Sequence, residues 1–135
     1  ASTGLTLAAL KGVVCVARPD RHMLVEGQRV VLSDAPPEHF CRPAIDVLFR
    51  SLAQECGSSV LGMLLTGMGR DGAAGLLDIH QTGGITVAQD EATSAVFGMP
   101  KAAIDLGAVD HVLPAQEMAS AILRLCPGAA CEVAS

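Results

Sequence analysis

The chain has 135 residues, of which 50% are hydrophobic, 17% charged and 2% aromatic, and its formal net charge is −5. This length fits one domain, and so apolar a composition excludes a disordered tail. No stretch approaches the ~20 apolar residues of a bilayer span, and we find no segment that resembles a signal peptide. With an acidic balance and no clustered Lys, Arg or aromatic residues, we expect a cytoplasmic globular domain that binds no nucleic acid and does not insert into membranes.

The first third of the chain predicts extended structure. Residues 13–17 form a compact β-branched run, which is typical of a strand. Residues 23–32 predict a hairpin that turns near residues 26–28, because Gly27 allows the positive φ of a tight turn. Residues 33–42 contain two consecutive prolines, which donate no ladder hydrogen bonds, and are predicted to be a loop.

A helix is predicted next, with Pro43 at its first position and Gly57 as its C-terminal cap. Apolar side chains recur between these residues at helical spacing and form one face of the helix. The members of this face are Ile45, Leu48, Phe49, Leu52, Ala53 and Cys56.

The remaining sequence alternates between strands and helices. Strands are predicted at residues 60–65, 85–88 and 111–113, and helices at residues 71–81, 100–106 and 115–125. The run 60–65 is continuously apolar, as in a parallel strand covered on both faces. The pattern therefore predicts an α/β fold, Rossmann-like and doubly wound, with a mostly parallel sheet and a β-hairpin. Residues 127–135 show no periodicity and are interpreted as a frayed tail.

The most informative segment is Leu-Leu-Thr-Gly-Met-Gly-Arg-Asp-Gly-Ala-Ala-Gly at residues 64–75. It runs from a buried strand through a glycine-rich turn into a helix, which is the edge where open α/β sheets bind ligands. A purely structural interpretation is tight packing, with Asp71 as the helix N-cap.

A dinucleotide-binding interpretation of the same turn is also open. Gly67-x-Gly69-x-x-Gly72 matches the dinucleotide fingerprint, and Asp90 and Glu91 lie near the expected distance of the ribose-binding acid. Asp71 opposes it, because its carboxylate would repel a pyrophosphate at the helix N-terminus. Strands and a helix also precede the motif, which normally opens the first βαβ unit.

Residues 64–75 resemble the signature of the CheB-type protein-glutamate methylesterases of bacterial chemotaxis. The resemblance continues through residues 88–94, 96–100 and 102–104, and upstream it includes residues 16–23 and 42–49. It thus extends in order over nearly all of residues 10–125. Several linked motifs make it specific.

The resemblance implies hydrolysis of glutamate methyl esters on chemoreceptors, and deamidation of receptor glutamines, by a Ser-His-Asp triad without a cofactor. By motif, Asp71 is the implied triad acid, since a carboxylate at a helix N-terminus stays ionised and can orient a histidine. Met68 is the implied residue lining the reaction centre. With Gly67 and Gly69 it forms the cleft and oxyanion region, where the backbone can contribute to an oxyanion pocket.

The nucleophile and base motifs of the family are not matched in context. The family serine lies in a Gly-Ala-Ser-Thr-Gly-Gly turn, which Ser2 only imitates, and its histidine lies in a Gln-His-Met-Pro stretch, which His22 only imitates. We interpret His22 as surface or hinge structure, His39 as a polar loop tip, and His80 and His111 as structural.

Residues 1–126 are therefore interpreted as the C-terminal portion of a CheB-type methylesterase domain. This is an incomplete version of the family domain, which we expect to be nearly inactive alone, and residues 127–135 are its tail. A non-catalytic binding module derived from the esterase is the alternative.

The five cysteines are odd in number and lack a C-x-x-C pair, so reduced and mostly buried thiols are expected rather than a metal site. The partners implied by the resemblance are the cytoplasmic domain of a methylated chemoreceptor and a receiver domain upstream. An incomplete sheet also predicts an apolar edge or face that is covered by self-association or by the rest of the domain.

Overall fold

A hairpin is followed by alternating helices and strands in the computed structural model, which describes residues 4–125 and 131–134. The strands are β1 (His22–Glu26), β2 (Arg29–Ser33), β3 (Val60–Leu64), β4 (Ile85–Gln89), β5 (His111–Leu113) and β6 (Cys131–Ala134). The helices are α1 (Ile45–Cys56), α2 (Ala73–Gln81), α3 (Gly98–Asp105) and α4 (Met118–Leu125). No helix within the described residues is long and apolar enough to cross a membrane.

Strands β3 to β6 form one parallel sheet in the order β5-β4-β3-β6. All five residues of β3 are buried, and its four residues other than Gly62 divide between two hydrophobic clusters. Val60 and Leu64 belong to a cluster with residues of α1, α2 and α3, whereas Leu61 and Met63 pack with Met118 and other residues of α4. The period of two along β3 thus confirms a parallel strand covered by helices on both faces.

The predicted hairpin is confirmed as an antiparallel pair, β1 and β2, that forms a separate two-stranded sheet. Its turn residues, Gly27 and Gln28, have φ of 56° and 65°, and both positive values match the two-residue turn that suits strand twist. Helix α1 packs on this hairpin, where Val25 N–H donates to Ser51 Oγ at 2.9 Å and Gly27 N–H donates to the Glu55 carboxylate. The hairpin therefore supports the helix that approaches the glycine-rich loop.

The strand predicted at residues 13–17 is wrong, because this segment pairs with no strand of the described chain. Val14 and Val16 are 89% and 86% exposed. A β-branched run favours extended backbone, but a strand also needs a partner for its hydrogen bonds.

The predicted start of the first helix is also wrong. Pro43 lies outside α1, whose N-cap is Ala44 in an extended conformation. The end of α1 is confirmed, because Gly57 caps it with φ 54°. The predicted apolar face is confirmed as well: its six members are buried or partly buried in the larger hydrophobic cluster.

The later elements are confirmed with shifted bounds. Helix α2 begins two residues after the predicted start, and α3 begins two residues before it. A short 3₁₀ turn, Ala115–Glu117, precedes α4, so only the second part of the helix predicted at 115–125 is α-helical. Strand β6 lies within the segment interpreted as a frayed tail and pairs in parallel with β3.

Candidate active site

The glycine-rich loop connects the carboxyl end of β3 to α2. Gly69 and Gly72 have φ of 90° and 95°, a region that L side chains rarely adopt. A Cβ at Gly72 would also lie 2.7 Å from Leu64 Cδ1. A neighbouring segment holds the loop from the other side, since Gly67 N–H donates to Val96 O and Met99 N–H donates to Gly67 O, each at 2.9 Å. The glycines thus allow a tight loop that is anchored at its start.

Asp71 lies in this loop, and its carboxylate turns towards α1 rather than α2. Asp71 is 5% exposed and accepts hydrogen bonds from Ile45 N–H at 2.7 Å and Asp46 N–H at 3.0 Å. These are the first two amides of α1, which lack partners within their own helix. The interpretation of Asp71 as the N-cap of the following helix is therefore wrong: that position is held by Gly72.

Asp46 makes the reciprocal contact from α1. Its side chain is 2% exposed, and Oδ1 accepts hydrogen bonds from Gly72 N–H at 3.1 Å and Gly75 N–H at 2.7 Å. These amides belong to the N-cap and first turn of α2. Asp46 is a site residue that was not predicted from the sequence. An acid in the first turn of a predicted helix was the available signal, but it did not indicate a partner outside that helix.

His39 completes this cluster from the proline loop. Its Nε2 donates to Asp46 Oδ2 at 2.8 Å, and its backbone φ is 52°, followed by 63° at the exposed Phe40. His39 is exposed in a turn, as expected of a polar loop tip, but the sequence did not indicate that its imidazole contacts a buried carboxylate. Two consecutive residues with positive φ explain how the loop folds back over α1.

His39, Asp46 and Asp71 each offer one ligand atom within 4.8 Å of the others, so this trio could hold a metal ion by distance. Both carboxylates already accept two backbone amides each at helix N-termini. Because helix N-termini carry partial positive charge, they stabilise the two acids without a metal ion and disfavour a cation beside them. We therefore describe the trio as a hydrogen-bonded network.

Met68 occupies the outer part of the loop and is 83% exposed. Within residues 4–125 and 131–134, no protein group accepts a hydrogen bond from the Met68 N–H. A backbone donor with no protein acceptor, in the turn that follows a parallel strand, can stabilise an oxyanion if a reacting carbonyl is placed beside it. Gly69, also exposed, lies next to it in the same turn.

The remaining candidate residues lie apart from this loop or outside the described chain. Ser2 lies outside the described residues. His22 is fully buried rather than at the surface, and its ring accepts from Ala44 N–H at 3.1 Å and donates to Pro36 O at 2.9 Å. His80 Nδ1 lies 3.2 Å from Asp110 Oδ1, a contact that the sequence did not indicate. His111 is exposed.

The expectation of mostly buried cysteines is wrong for the three whose side chains are described. Cys15 is exposed, and Cys41 and Cys56 are partly exposed. Cys15 and Cys41 are free thiols. Cys126 lies outside the described residues, and of Cys131 only the backbone is described.

The dinucleotide interpretation conflicts with the hydrogen bonds of the loop. A pyrophosphate needs free amides at the start of the helix that follows the glycine motif. Gly72 N–H and Gly75 N–H both donate to Asp46, and Gly67 N–H donates to Val96 O. A buried carboxylate thus occupies the position that a phosphate would need.

The chain is similar to known proteins of one family. The family model described as CheB methylesterase matches residues 3–122. A protein-glutamate methylesterase/protein-glutamine glutaminase of Rhizobium johnstonii is 50% identical over 118 residues, which are 84% of this chain and 32% of that protein. A protein of the same name from Anaeromyxobacter dehalogenans is 53% identical over 114 residues, 84% of this chain and 33% of its own length.

A solved structure, the Thermotoga maritima CheB methylesterase catalytic domain, matches with a TM-score of 0.80 at 34% identity. The match covers 84% of this chain and 62% of that one. This chain therefore spans about a third of the length of the curated relatives and less than two thirds of the solved domain.

Proposed function

The chain belongs to the CheB methylesterase family, and we propose that it supplies the acid and the oxyanion turn of a protein-glutamate methylesterase site. The observation that carries the proposal is the placement of Asp71. Its carboxylate is buried at the carboxyl end of the parallel sheet and held by two amides of α1. A triad acid needs this combination of fixed orientation and stabilised negative charge.

The proposed reaction is acyl transfer followed by hydrolysis. A serine hydroxyl attacks the ester carbonyl of a methylated glutamate, a histidine takes the hydroxyl proton, and methanol leaves when the histidine returns that proton. Water then attacks the acyl-enzyme and releases glutamate and the serine. Attack on a glutamine side chain in the same way would release ammonia.

Residues 4–125 are assigned only part of this machinery. Asp71 would orient the histidine and stabilise its positive charge, and the Met68 N–H, next to Gly67 and Gly69, would donate to the oxyanion. Serine and histidine motifs of the family are not matched in these residues, so the proposal assigns neither role to them. The proposed substrate is the methylated cytoplasmic domain of a chemoreceptor, which places the reaction in the cytoplasm, and control by a receiver domain is part of the same proposal.

A hybrid domain tests this assignment. Residues of this chain replace the matching part of the Thermotoga maritima catalytic domain, and methanol release from methylated receptor is measured. We expect turnover, and we expect Asp71→Asn to lower kcat by ~10³–10⁴-fold, because the histidine would lose its orienting charge. Asp78→Asn, at a partly buried acid of α2, is the matched control and should retain wild-type turnover.

A folded hybrid without turnover would contradict the proposal, and so would an Asp71→Asn hybrid as active as the wild type. A non-catalytic binding module derived from the esterase is the second candidate. It predicts that this chain binds the receptor domain while the hybrid releases no methanol.

A further inference from the structure

We propose that Asp46 is a positioning residue for the active site, which holds Asp71 and its loop against α1. The catalytic meaning of this inference rests on the proposed function of Asp71. Asp46 is 2% exposed and lies beneath the loop, so it can act on a substrate only through its neighbours.

The two acids form a closed exchange of hydrogen bonds between two helices. Asp71 accepts from the first two amides of α1, one of which is the N–H of Asp46 itself. The Asp46 carboxylate accepts from Gly72 N–H, the residue directly after Asp71, and from Gly75 N–H in the first turn of α2. The Asp46 residue is therefore bonded both to the Asp71 carboxylate and to the backbone that follows it.

The packing of the two helices leaves this carboxylate little freedom. A Cβ added to Gly75 would lie 2.6 Å from Phe49 Cβ and 3.0 Å from Asp46 Oδ1. The glycine thus opens the space that the Asp46 side chain occupies between α1 and α2. His39 Nε2 bonds to the other carboxylate oxygen and fixes its rotation from the solvent side.

The loop has few other means of holding its conformation next to Asp71. Gly69 and Gly72 have positive φ and add no side chain of their own, and Met68 and Arg70 are exposed. Bonds to residues 96–99 anchor Gly67, at the start of the loop. Asp46 therefore provides the anchor at the end of the loop, where the acid is located.

Amide hydrogen exchange in this chain, measured by NMR, tests the placement of Asp71. In Asp46→Ala, exchange at Gly72 and Gly75 should accelerate by at least about tenfold, because a charge-assisted acceptor is lost. Exchange at Ile45 should accelerate too, although the Asp46 side chain does not bond to that amide. Simple capping of α2 would change Gly72 and Gly75 and leave Ile45 at its wild-type rate, which would overturn the proposal.

Asp46→Asn provides the conservative variant, because its side-chain oxygen can still accept from both glycine amides. We expect intermediate exchange rates at Gly72 and Gly75 and near wild-type rates at Ile45. Leu52 and Ala53, buried in the middle of α1, report whether the helix itself remains folded. Asp78→Asn should leave exchange at Ile45, Gly72 and Gly75 at the wild-type rates.

The hybrid domain gives the catalytic test. We expect Asp46→Ala to lower kcat by about tenfold with KM within twofold, since the buried carboxylate affects the acid and not the binding of the ester, and we expect Asp46→Asn to restore most of the lost kcat. Unchanged kcat in an active hybrid would overturn the inference and leave the proposed function intact. An inactive wild-type hybrid would instead contradict the proposed function, while the exchange experiment would still decide whether Asp46 holds Asp71.

Discussion

Gln89, at the end of β4, accepts a hydrogen bond from Thr66 N–H in the loop that follows β3, with 2.7 Å between Oε1 and the amide nitrogen. The same side chain, 4% exposed, donates from Nε2 to Thr93 O at 2.8 Å. One amide side chain thus joins the two loops that leave neighbouring parallel strands. It supports the glycine-rich loop from the sheet side, as Asp46 does from the helix side.

Replacing Gln89 with alanine should destabilise the chain by about 1–3 kcal/mol, because the Thr66 amide and the Thr93 carbonyl would lose their buried partner. Urea denaturation followed by circular dichroism measures this change. Gln81→Ala, at the exposed end of α2, is the matched control and should stay within about 0.5 kcal/mol of the wild type. Equal midpoints for the two variants would contradict the assigned role of Gln89.

His22 is a buried structural residue rather than the surface or hinge position that the sequence predicts. Its fully buried ring connects the residue before α1, through Ala44 N–H, to the proline loop, through Pro36 O. His22→Ala removes both bonds and leaves a cavity, so we expect a loss of about 2–4 kcal/mol in the free energy of unfolding. The exposed His111→Ala should cost less than about 0.5 kcal/mol. A similar loss in both variants would show that the burial of His22 does not determine its contribution to the free energy of unfolding.

The elements that could be predicted are those whose signal lies within a short window of sequence. The hairpin follows from Gly27 between two apolar runs, and α1 follows from apolar residues at helical spacing before Gly57. Strand β3 follows from its unbroken apolar run, which needs cover on both faces. Residues 13–17 carry a similar apolar signal, but the absence of a pairing strand among the described residues leaves them exposed.

The candidate site could be located from the glycine pattern, but the hydrogen-bond partners within it could not be predicted. The amides that donate to the Asp71 carboxylate and hold it in place lie 25 and 26 residues away, and helix periodicity does not specify which helix an acid contacts. In the sequence, Asp46 cannot be distinguished from an ordinary polar residue of α1. His39 and Phe40 both take positive φ, which is uncommon for residues other than glycine and is not indicated by the local sequence pattern.

Gly75→Ala tests the close approach of the two helices. In an exposed helix this change stabilises by up to about 1 kcal/mol, because alanine has the higher helix propensity. Here the new methyl group would meet Phe49 and the Asp46 carboxylate, so we expect net destabilisation of about 1–3 kcal/mol by overpacking. Ala74→Gly, at the neighbouring exposed position, should lose about 1 kcal/mol by propensity alone. A stabilised Gly75→Ala variant would mean that α1 and α2 are farther apart than described.

The last prediction concerns the dinucleotide interpretation. Because Asp46 occupies the amides of Gly72 and Gly75, a pyrophosphate would have to displace a buried carboxylate and approach Asp71 as well. We expect NADH or NADPH at millimolar concentration to leave the melting temperature unchanged. A binder present at 100 times its Kd would stabilise the fold by about 2.7 kcal/mol, which a thermal melt resolves easily. A dose-dependent rise in melting temperature that persists in Asp90→Asn would indicate a nucleotide site elsewhere on the chain. A rise that this change abolishes would instead support the dinucleotide interpretation of the glycine motif and contradict the site described above.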